Sequence, residues 1–129
     1  MKVTKKNLRS CSACVYEVSE NGRPIFYVLK SYATLVAKIR VRQPEENGEK
    51  FTLTLYPQYD CSTTTMSHVR KFVEDICGYS ATITEIRECL KTGKPIYTVR
   101  NIAVEKIHRE SELQEKNYLH GLGISGCMW

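Results

Sequence analysis

Apolar and polar residues alternate along residues 50–56, and the spacing then changes to that of a helix. Alternation of this kind is typical of a strand with one buried face. Beyond Pro57 the apolar residues recur every three or four positions, which predicts a helix with a buried stripe of Met66, Val69, Phe72, Val73 and Ile76. Ser62 or Thr63 can accept free N–H groups of the first helical turn, and Gly78 is suited to the helix end. The segment therefore predicts a strand followed by a helix.

The polar side of this helix and the segment after it complete the helical prediction. His68 lies with Arg70 and Lys71 on the face that the apolar stripe leaves to solvent. A second helix is expected to begin at Thr82, because Thr82-x-x-Glu85 matches a capping box, and to end by Gly93. Its expected buried stripe is Ile83, Ile86 and Leu90. We also expect Cys77, at the end of the first stripe, to be a core residue.

Four segments in the first half of the chain have the pattern of strands: residues 14–20, 25–29, 35–42 and 51–56. Asn21-Gly22 and Asn47-Gly48 are strong hairpin signals, since both residue types tolerate the positive φ that a tight turn requires. We expect antiparallel pairing across each. Residues 25–29 are apolar almost without interruption, which indicates a strand covered on both faces.

The C-terminal third has a weaker pattern. Residues 96–104 are β-branched and follow Pro95, which predicts a last strand at a sheet edge. Residues 105–118 are charge-rich and suggest a third, thinly packed helix. The glycine-rich tail 119–129 carries apolar residues that we expect to dock. Taken together, the patterns predict a single α+β domain over residues 1–129, with an antiparallel sheet of four to five strands and two to three helices.

Composition agrees with one domain, since 129 residues with 42% hydrophobic content suffice for one core. Residues 1–9 contain four cations and no acid, so we expect a basic leader that is frayed or laid on a partner. No run of about 18 apolar residues is present, and the basic start lacks the apolar stretch of a secretory signal. These features favour a cytoplasmic protein without membrane contact.

The chain has 19 basic and 14 acidic residues, a mild excess of positive charge that favours acidic partners. Three of the cations lie in residues 35–42. Strand alternation places Leu35, Ala37, Ile39 and Val41 on one face. Lys38, Arg40 and Arg42 then share the opposite face, which is expected to be open to solvent, with Tyr56 on the neighbouring strand. We interpret Lys38, Arg40, Arg42 and Tyr56 as a candidate partner-binding surface. The same surface would serve a small basic nucleic-acid-binding module, the alternative hypothesis.

Cys11-Ser12-Ala13-Cys14 is the one compact chemical motif. Two thiolates at this spacing can bind one metal, but a tetrahedral site needs two more ligands. The possible ones are Cys77, Cys89, Cys127, His108 and His120. We favour His120 and Cys127, because the glycine-rich tail can fold back, giving a structural zinc at Cys11, Cys14, His120 and Cys127. One other interpretation is that the cysteines are two small residues at the start of a strand. Another is a redox pair, but such a motif usually precedes a helix whose N-terminus lowers the thiol pKa, whereas this one precedes a hairpin.

Catalytic signatures are not found in the sequence. Histidines, cysteines and carboxylates are present, but no local motif pairs a nucleophile with a base. There is no phosphate-binding glycine loop and no H-E-x-x-H. We therefore expect a protein that is not an enzyme.

Residues 24–75 resemble a group of small proteins carried by phages and other mobile elements of Gram-positive bacteria. The resemblance is carried by two motifs and by His68 in the helix that follows them. The first is a strand motif, Ser31-Tyr32-x-Thr34-x-Val36-Ala37, and the second is a turn motif of Tyr59, Asp60, Ser62, Thr64 and Thr65. The chain departs from the group at Cys61, where an aromatic residue is common, in the Cys-x-x-Cys start and in the tail.

Some proteins in that setting are anti-CRISPR inhibitors of type II effector nucleases. The resemblance implies a non-catalytic inhibitor that binds a host CRISPR effector nuclease and blocks its target DNA binding or its activation. Many such inhibitors imitate DNA with acidic faces. A net charge of +5 is unlike that, so the expected contact is with a protein surface of the nuclease.

Overall fold

A single sheet carries the fold in the computed structural model, which describes residues 1–8, 12–42, 49–96 and 101–129. Its strands are β1 (Lys2–Asn7), β2 (Ala13–Glu20), β3 (Arg23–Ser31), β4 (Thr34–Val41), β5 (Glu49–Leu55) and β6 (Asn101–Lys106). The helices are α1 (Thr63–Cys77), α2 (Ile83–Thr92) and α3 (Glu112–Gly121), the last preceded by a 3-10 turn at Arg109–Ser111. The predicted α+β class is confirmed.

The six strands lie in the sheet in chain order. Neighbouring strands from β1 to β5 are antiparallel, whereas β6 is parallel to β5 because α1 and α2 carry the chain back across the sheet. The sheet is therefore mixed and larger than the predicted antiparallel sheet of four to five strands. β6 is at an edge as expected, and Ile96 makes a short antiparallel bridge to Ile102 on its outer side. Residues 97–100 of the predicted strand 96–104 lie outside the described residues.

Local signals for turns and caps are confirmed wherever the structure describes them. Asn21 and Gly22 have φ of 54° and 77° and join β2 to β3. The Ser62 hydroxyl accepts the Thr65 N–H at 3.1 Å, and Gly78 ends α1 with φ of 75°. The Thr82 hydroxyl accepts the Glu85 N–H at the start of α2. Asn47-Gly48 lies outside the described residues, although β4 and β5 do pair antiparallel.

Helices α1 and α2 cover the first face of the sheet. Val69, Phe72 and Val73 of α1 have no exposed surface, and Cys77 is buried beside them as predicted. On α2, Ile86 and Cys89 are the buried residues, while Ile83 and Leu90 are only partly covered. The sheet contributes buried side chains that include Leu29, Ile39, Leu53, Leu55 and Ile102. Each large side chain removed from water in this way contributes about 1.5–3 kcal/mol.

A second core lies on the opposite face of the sheet, under α3 and the C-terminal tail. It consists of Tyr16, Val18, Phe26, Val28, Leu35, Tyr56, Leu119, Ile124 and Met128. The tail is held along β4, since the Leu35 N–H donates to the Cys127 carbonyl at 2.7 Å and the Cys127 N–H donates to the Ala33 carbonyl at 2.9 Å. The expectation that the tail docks is confirmed, and both faces of the sheet are covered.

A β-bulge in β4 places Leu35 on the opposite face of the sheet from Ala37 and Ile39, so the prediction that the three share one face is wrong. The pairing between β3 and β4 moves from Leu29 and Ala37 to Lys30 and Leu35, which leaves Val36 as an extra residue. An extra residue reverses the alternation that follows it. Leu35 consequently lies in the second core, whereas Ala37 and Ile39 lie in the first.

Two segments differ from their predicted structure. The expected leader 1–9 forms strand β1 over Lys2–Asn7, because Val3 can pack on the second core while the lysines stay exposed. Residues 105–118, predicted as one helix, begin as the end of β6, form the 3-10 turn at Arg109–Ser111 and become α-helical at Glu112. The longest helix among the described residues, α1, has 15 residues, and none of these helices reaches the length and apolar content required to cross a bilayer.

Candidate functional site

Polar residues from three parts of the chain meet beneath the turn between β3 and β4. We call Ser12, Ser31, Tyr32, Thr65 and His68 the hairpin-tip cluster. Ser12 precedes β2, Ser31 ends β3, and Thr65 and His68 lie in the first half of α1. Buried hydroxyl and imidazole groups need hydrogen-bond partners, and here they find them in one another.

His68 is at the centre of this cluster. Its Nδ1 lies 2.7 Å from the Ser31 Oγ, and its Nε2 lies 3.4 Å from the Ser12 Oγ. Because a hydroxyl can donate or accept, this arrangement suits either neutral tautomer of the imidazole. Burial, followed by the ammonium of Lys71, lowers the pKa of His68 below its ordinary value. The cluster therefore favours a neutral histidine.

Tyr32 is the exposed member of the cluster. Its side chain is 63% accessible, and its φ of 54° places a bulky residue in the left-handed region. The Tyr32 N–H donates to the Ser12 carbonyl at 2.8 Å, and its ring lies 5.9 Å from the His68 ring, centroid to centroid. The hydrogen bond holds the Tyr32 backbone and the His68 ring contacts its side chain, which leaves an exposed aromatic ring at the end of the sheet.

The predicted position of His68 on the polar side of α1 is wrong. Its side chain is 2% exposed, as is that of Ser31. The spacing of apolar residues assigned His68, as a polar residue, to the same side of α1 as Arg70. It cannot reveal that the sheet provides hydroxyl groups to which a buried histidine can hydrogen-bond. One signal was present in the sequence. Ser31, Tyr32, Thr65 and His68 all belong to the motifs that carry the resemblance, and the fold brings them together.

The predicted zinc ligands are only partly within the described structure. Cys11 lies outside the described residues, while Cys14, half-buried on β2, and Cys127, exposed in the tail, are free thiols. His120 is exposed near the end of α3. Across the described ranges, no three or more His, Cys, Asp and Glu side chains group together to hold a metal. The four-ligand zinc site stays a prediction.

The predicted partner-binding face is only partly open to solvent, because α3 lies over Lys38 and Tyr56. Tyr56 is completely buried and donates its hydroxyl to Glu115 Oε2 at 2.8 Å. Lys38 Nζ lies 2.7 Å from the same oxygen. Arg42 donates to the Thr52 hydroxyl at 3.0 Å, and Arg40 is half-buried. The expectation of a free cationic surface is therefore wrong for Lys38 and Tyr56, which hold α3 on the sheet.

A groove of about 370 Å³ remains beside this contact, between α3 and the ends of β5 and β6. Lys38, Thr54, Glu105, His108 and Glu115 are among the side chains that line it. Within it the Thr54 hydroxyl donates to Glu105 at 2.8 Å. The groove combines both signs of charge, so its lining selects no single class of ligand.

Comparison of the chain with protein family models, curated proteins and solved structures found no match. The candidate site therefore rests on its own residues and geometry.

Proposed function

We propose that this protein is a non-catalytic inhibitor of phage or mobile-element origin, which binds a host type II CRISPR effector nuclease in the cytoplasm and blocks its target DNA binding or activation. One observation carries the proposal: four residues of the resemblance, Ser31, Tyr32, Thr65 and His68, meet in the hairpin-tip cluster, where Tyr32 is the exposed member. The identity of the partner, a nuclease, is inferred from the resemblance, and the contact surface is inferred from the geometry.

The hairpin tip has the properties of a binding anchor. A few residues carry most of the affinity at protein interfaces, and tyrosine is enriched among them. Tyr32 is held by the backbone hydrogen bond to Ser12 and by the His68 ring below it. Little conformational freedom is then lost when a partner covers the side chain.

Burial of the histidine supports a role without catalysis. Ser31 and His68 are close enough for a nucleophile and its base, but each is 2% exposed. A substrate carbonyl must reach the serine oxygen for acyl transfer, and the cluster leaves no approach to it. The pair is better suited to holding the hairpin than to attacking a substrate.

A structural zinc at Cys11, Cys14, His120 and Cys127 is part of the proposal and rests on the cysteine spacing. Elemental mass spectrometry of the purified protein is expected to give one zinc per chain. The double variant Cys11→Ser/Cys14→Ser should lose the metal and melt at a lower temperature. Metal-free wild-type protein would remove zinc from the proposal and leave the inhibitor function to be decided separately.

Inhibition is tested with purified type II effector and labelled target DNA, by measuring DNA binding against added protein. Tyr32→Asn removes the ring but keeps a residue that tolerates the left-handed conformation. We expect affinity for the effector to fall at least tenfold in this variant, about 1.4 kcal/mol. Leu113→Ala is the control, because Leu113 is 61% exposed at a different place, on α3.

The outcomes separate the hypotheses. The inhibitor hypothesis is overturned if the effector does not bind the wild-type protein and still binds its target DNA when the protein is present. Equal affinity of the wild-type and Tyr32→Asn proteins would remove the hairpin tip as the contact. Direct binding of labelled DNA by the protein alone, with a steep salt dependence, would instead support the nucleic-acid-binding alternative.

A further inference from the structure

The two edges of the sheet differ in how they are covered. At the β6 edge, Ile96 and Ile102 exchange two backbone hydrogen bonds of 2.8 and 3.0 Å. At the β1 edge, by contrast, β2 is the only strand that pairs with Lys2–Asn7 in the described part of the chain. An edge strand of six residues presents backbone N–H and C=O groups that a further strand can pair with.

Lysines determine which strand can be added at this edge. Lys2, Lys5 and Lys6 are exposed, and β1 carries no acidic residue. A second copy of the chain would bring one row of lysines against another, and like charges on neighbouring strands are destabilising. An acidic strand would meet opposite charge on both faces, because Lys6 pairs with Val15 of the first core and Lys5 lies over the Tyr16 ring of the second.

A cavity of about 200 Å³ lies beside the C-terminal half of β1, on the first face of the sheet. Leu8, Val15, Tyr27 and Ile76 supply its apolar lining, and Lys6 stands on its β1 side. Glu17 and Asp75 also line it, so the cavity is suited to an apolar side chain of the added strand, and the acidic side chains of that strand belong beside the lysines of β1. In recognition by strand addition, backbone hydrogen bonds supply affinity and such pockets select alternate side chains. The edge and the cavity are independent observations, and one extended segment with an apolar side chain fits both.

We propose that β1 binds an acidic, extended segment of a protein partner by strand addition, with one apolar side chain of that segment in the cavity beside Ile76. This inference deepens the proposed function and rests on it for the identity of the partner. Asn7 pairs with Cys14, and Cys14 pairs with Lys30 near the end of β3. The C-terminal end of β1 is therefore at the same end of the sheet as Tyr32, and one partner can contact both.

The test uses the full chain labelled with ¹⁵N and a synthetic peptide, acetyl-Glu-Glu-Val-Glu-Glu-Glu-amide, whose glutamates lie on both faces of a strand and whose single valine can enter the cavity. We expect saturable shifts and slower hydrogen exchange at the amides of β1, and weaker binding as salt rises. The variant Lys5→Glu/Lys6→Glu should bind at least tenfold more weakly. Lys91→Glu/Lys94→Glu makes the same change in net charge at exposed residues at the end of α2, and should bind normally.

Several results would overturn the inference: no saturable binding at millimolar peptide, shifts centred away from β1, or equal losses in the two double variants. A peptide with lysine in place of glutamate should not bind. The same variants distinguish this inference from the proposed function. If the Lys5→Glu/Lys6→Glu variant still binds the effector, strand addition is refuted and the inhibitor hypothesis stands. If the peptide binds at β1 but the effector does not bind the protein, the inhibitor hypothesis is refuted and strand addition stands.

Discussion

Ser31 Oγ and His68 Nδ1 are 2.7 Å apart in a buried hydrogen bond that joins the end of β3 to α1. The two residues are 37 positions apart in sequence. Tyr32, next to Ser31, is exposed and has a left-handed backbone. The hydrogen bond therefore connects the packing of α1 on the sheet to the position of the proposed binding residue.

Replacing Ser31 by alanine tests this connection. The variant leaves a buried imidazole nitrogen without its nearest partner, and we expect a loss of about 1–3 kcal/mol in the free energy of unfolding. Urea unfolding followed by circular dichroism measures it. Ser80→Ala is the control, since Ser80 is exposed in the connection between α1 and α2 and should change stability little. Equal stabilities of the two variants would contradict a structural role for the hydrogen bond.

Stability should depend on pH through His68. Burial and the Lys71 charge lower its folded-state pKa, whereas the unfolded chain keeps the ordinary value of about 6.5. As pH falls below about 6.5, the unfolded state binds the proton first, so stability decreases until pH passes the lowered folded pKa and then levels off. Above about pH 6.5 the stabilisation is fully present.

The measurement is urea unfolding at steps from pH 8 to pH 5, for the wild-type chain and His68→Asn. Asparagine keeps a polar group in the cluster but does not titrate. The two proteins differ only at position 68, so a difference between their pH profiles is due to that residue. We expect the stability difference between the proteins to shrink as pH falls. A constant difference across the range would show that His68 does not cause the pH dependence.

Features set by neighbouring residues could be predicted from the sequence. Asn21-Gly22 specifies its own turn, and Ser62 and Gly78 specify the two ends of α1. Alternation in residues 51–55 likewise specified a strand. Each of these depends on backbone conformation or on contacts within a few positions, so the local pattern contains the information.

Features that depend on distant contacts could not be predicted in the same way. His68 looked like a surface residue because its hydroxyl partners, Ser12 and Ser31, are far from it in sequence. The face with Lys38 looked open because nothing local indicates that α3 covers it. The bulge at Val36 changed the face of one residue, and alternation alone cannot reveal an inserted position.

Gly126 should be required for docking of the tail. A Cβ atom at this position would lie 3.0 Å from the Ala33 carbonyl oxygen and 3.2 Å from the Leu35 side chain. Gly126→Ala is expected to lose about 1–3 kcal/mol of stability through overpacking. Gly121→Ala is the matched control, because a Cβ there meets nothing within 4 Å. Thermal unfolding of the two variants makes the comparison, and equal melting temperatures would show that the tail can move aside.

Glu115 should couple Tyr56 and Lys38, since one of its oxygens binds both. Burial and this carboxylate raise the pKa of Tyr56 well above its ordinary value, so its hydroxyl remains a donor. Tyr56→Phe is expected to lose about 1.5–3 kcal/mol, the usual contribution of a hydrogen bond to a charged group. Tyr118→Phe is the control, because the Tyr118 ring is 44% exposed and its hydroxyl lies 3.9 Å from the Met1 sulfur.

A double-mutant cycle decides whether the three groups act together. In the Glu115→Gln protein Lys38, whose side chain is only 18% exposed, loses its anionic partner, so this variant should be less stable than Tyr56→Phe. Adding Tyr56→Phe to it should then have less effect than in the wild-type chain, because the charged acceptor is already gone. Urea unfolding of the four proteins gives the coupling energy. Additive losses would mean that the Tyr56 hydroxyl stabilises the protein independently of the Glu115 carboxylate.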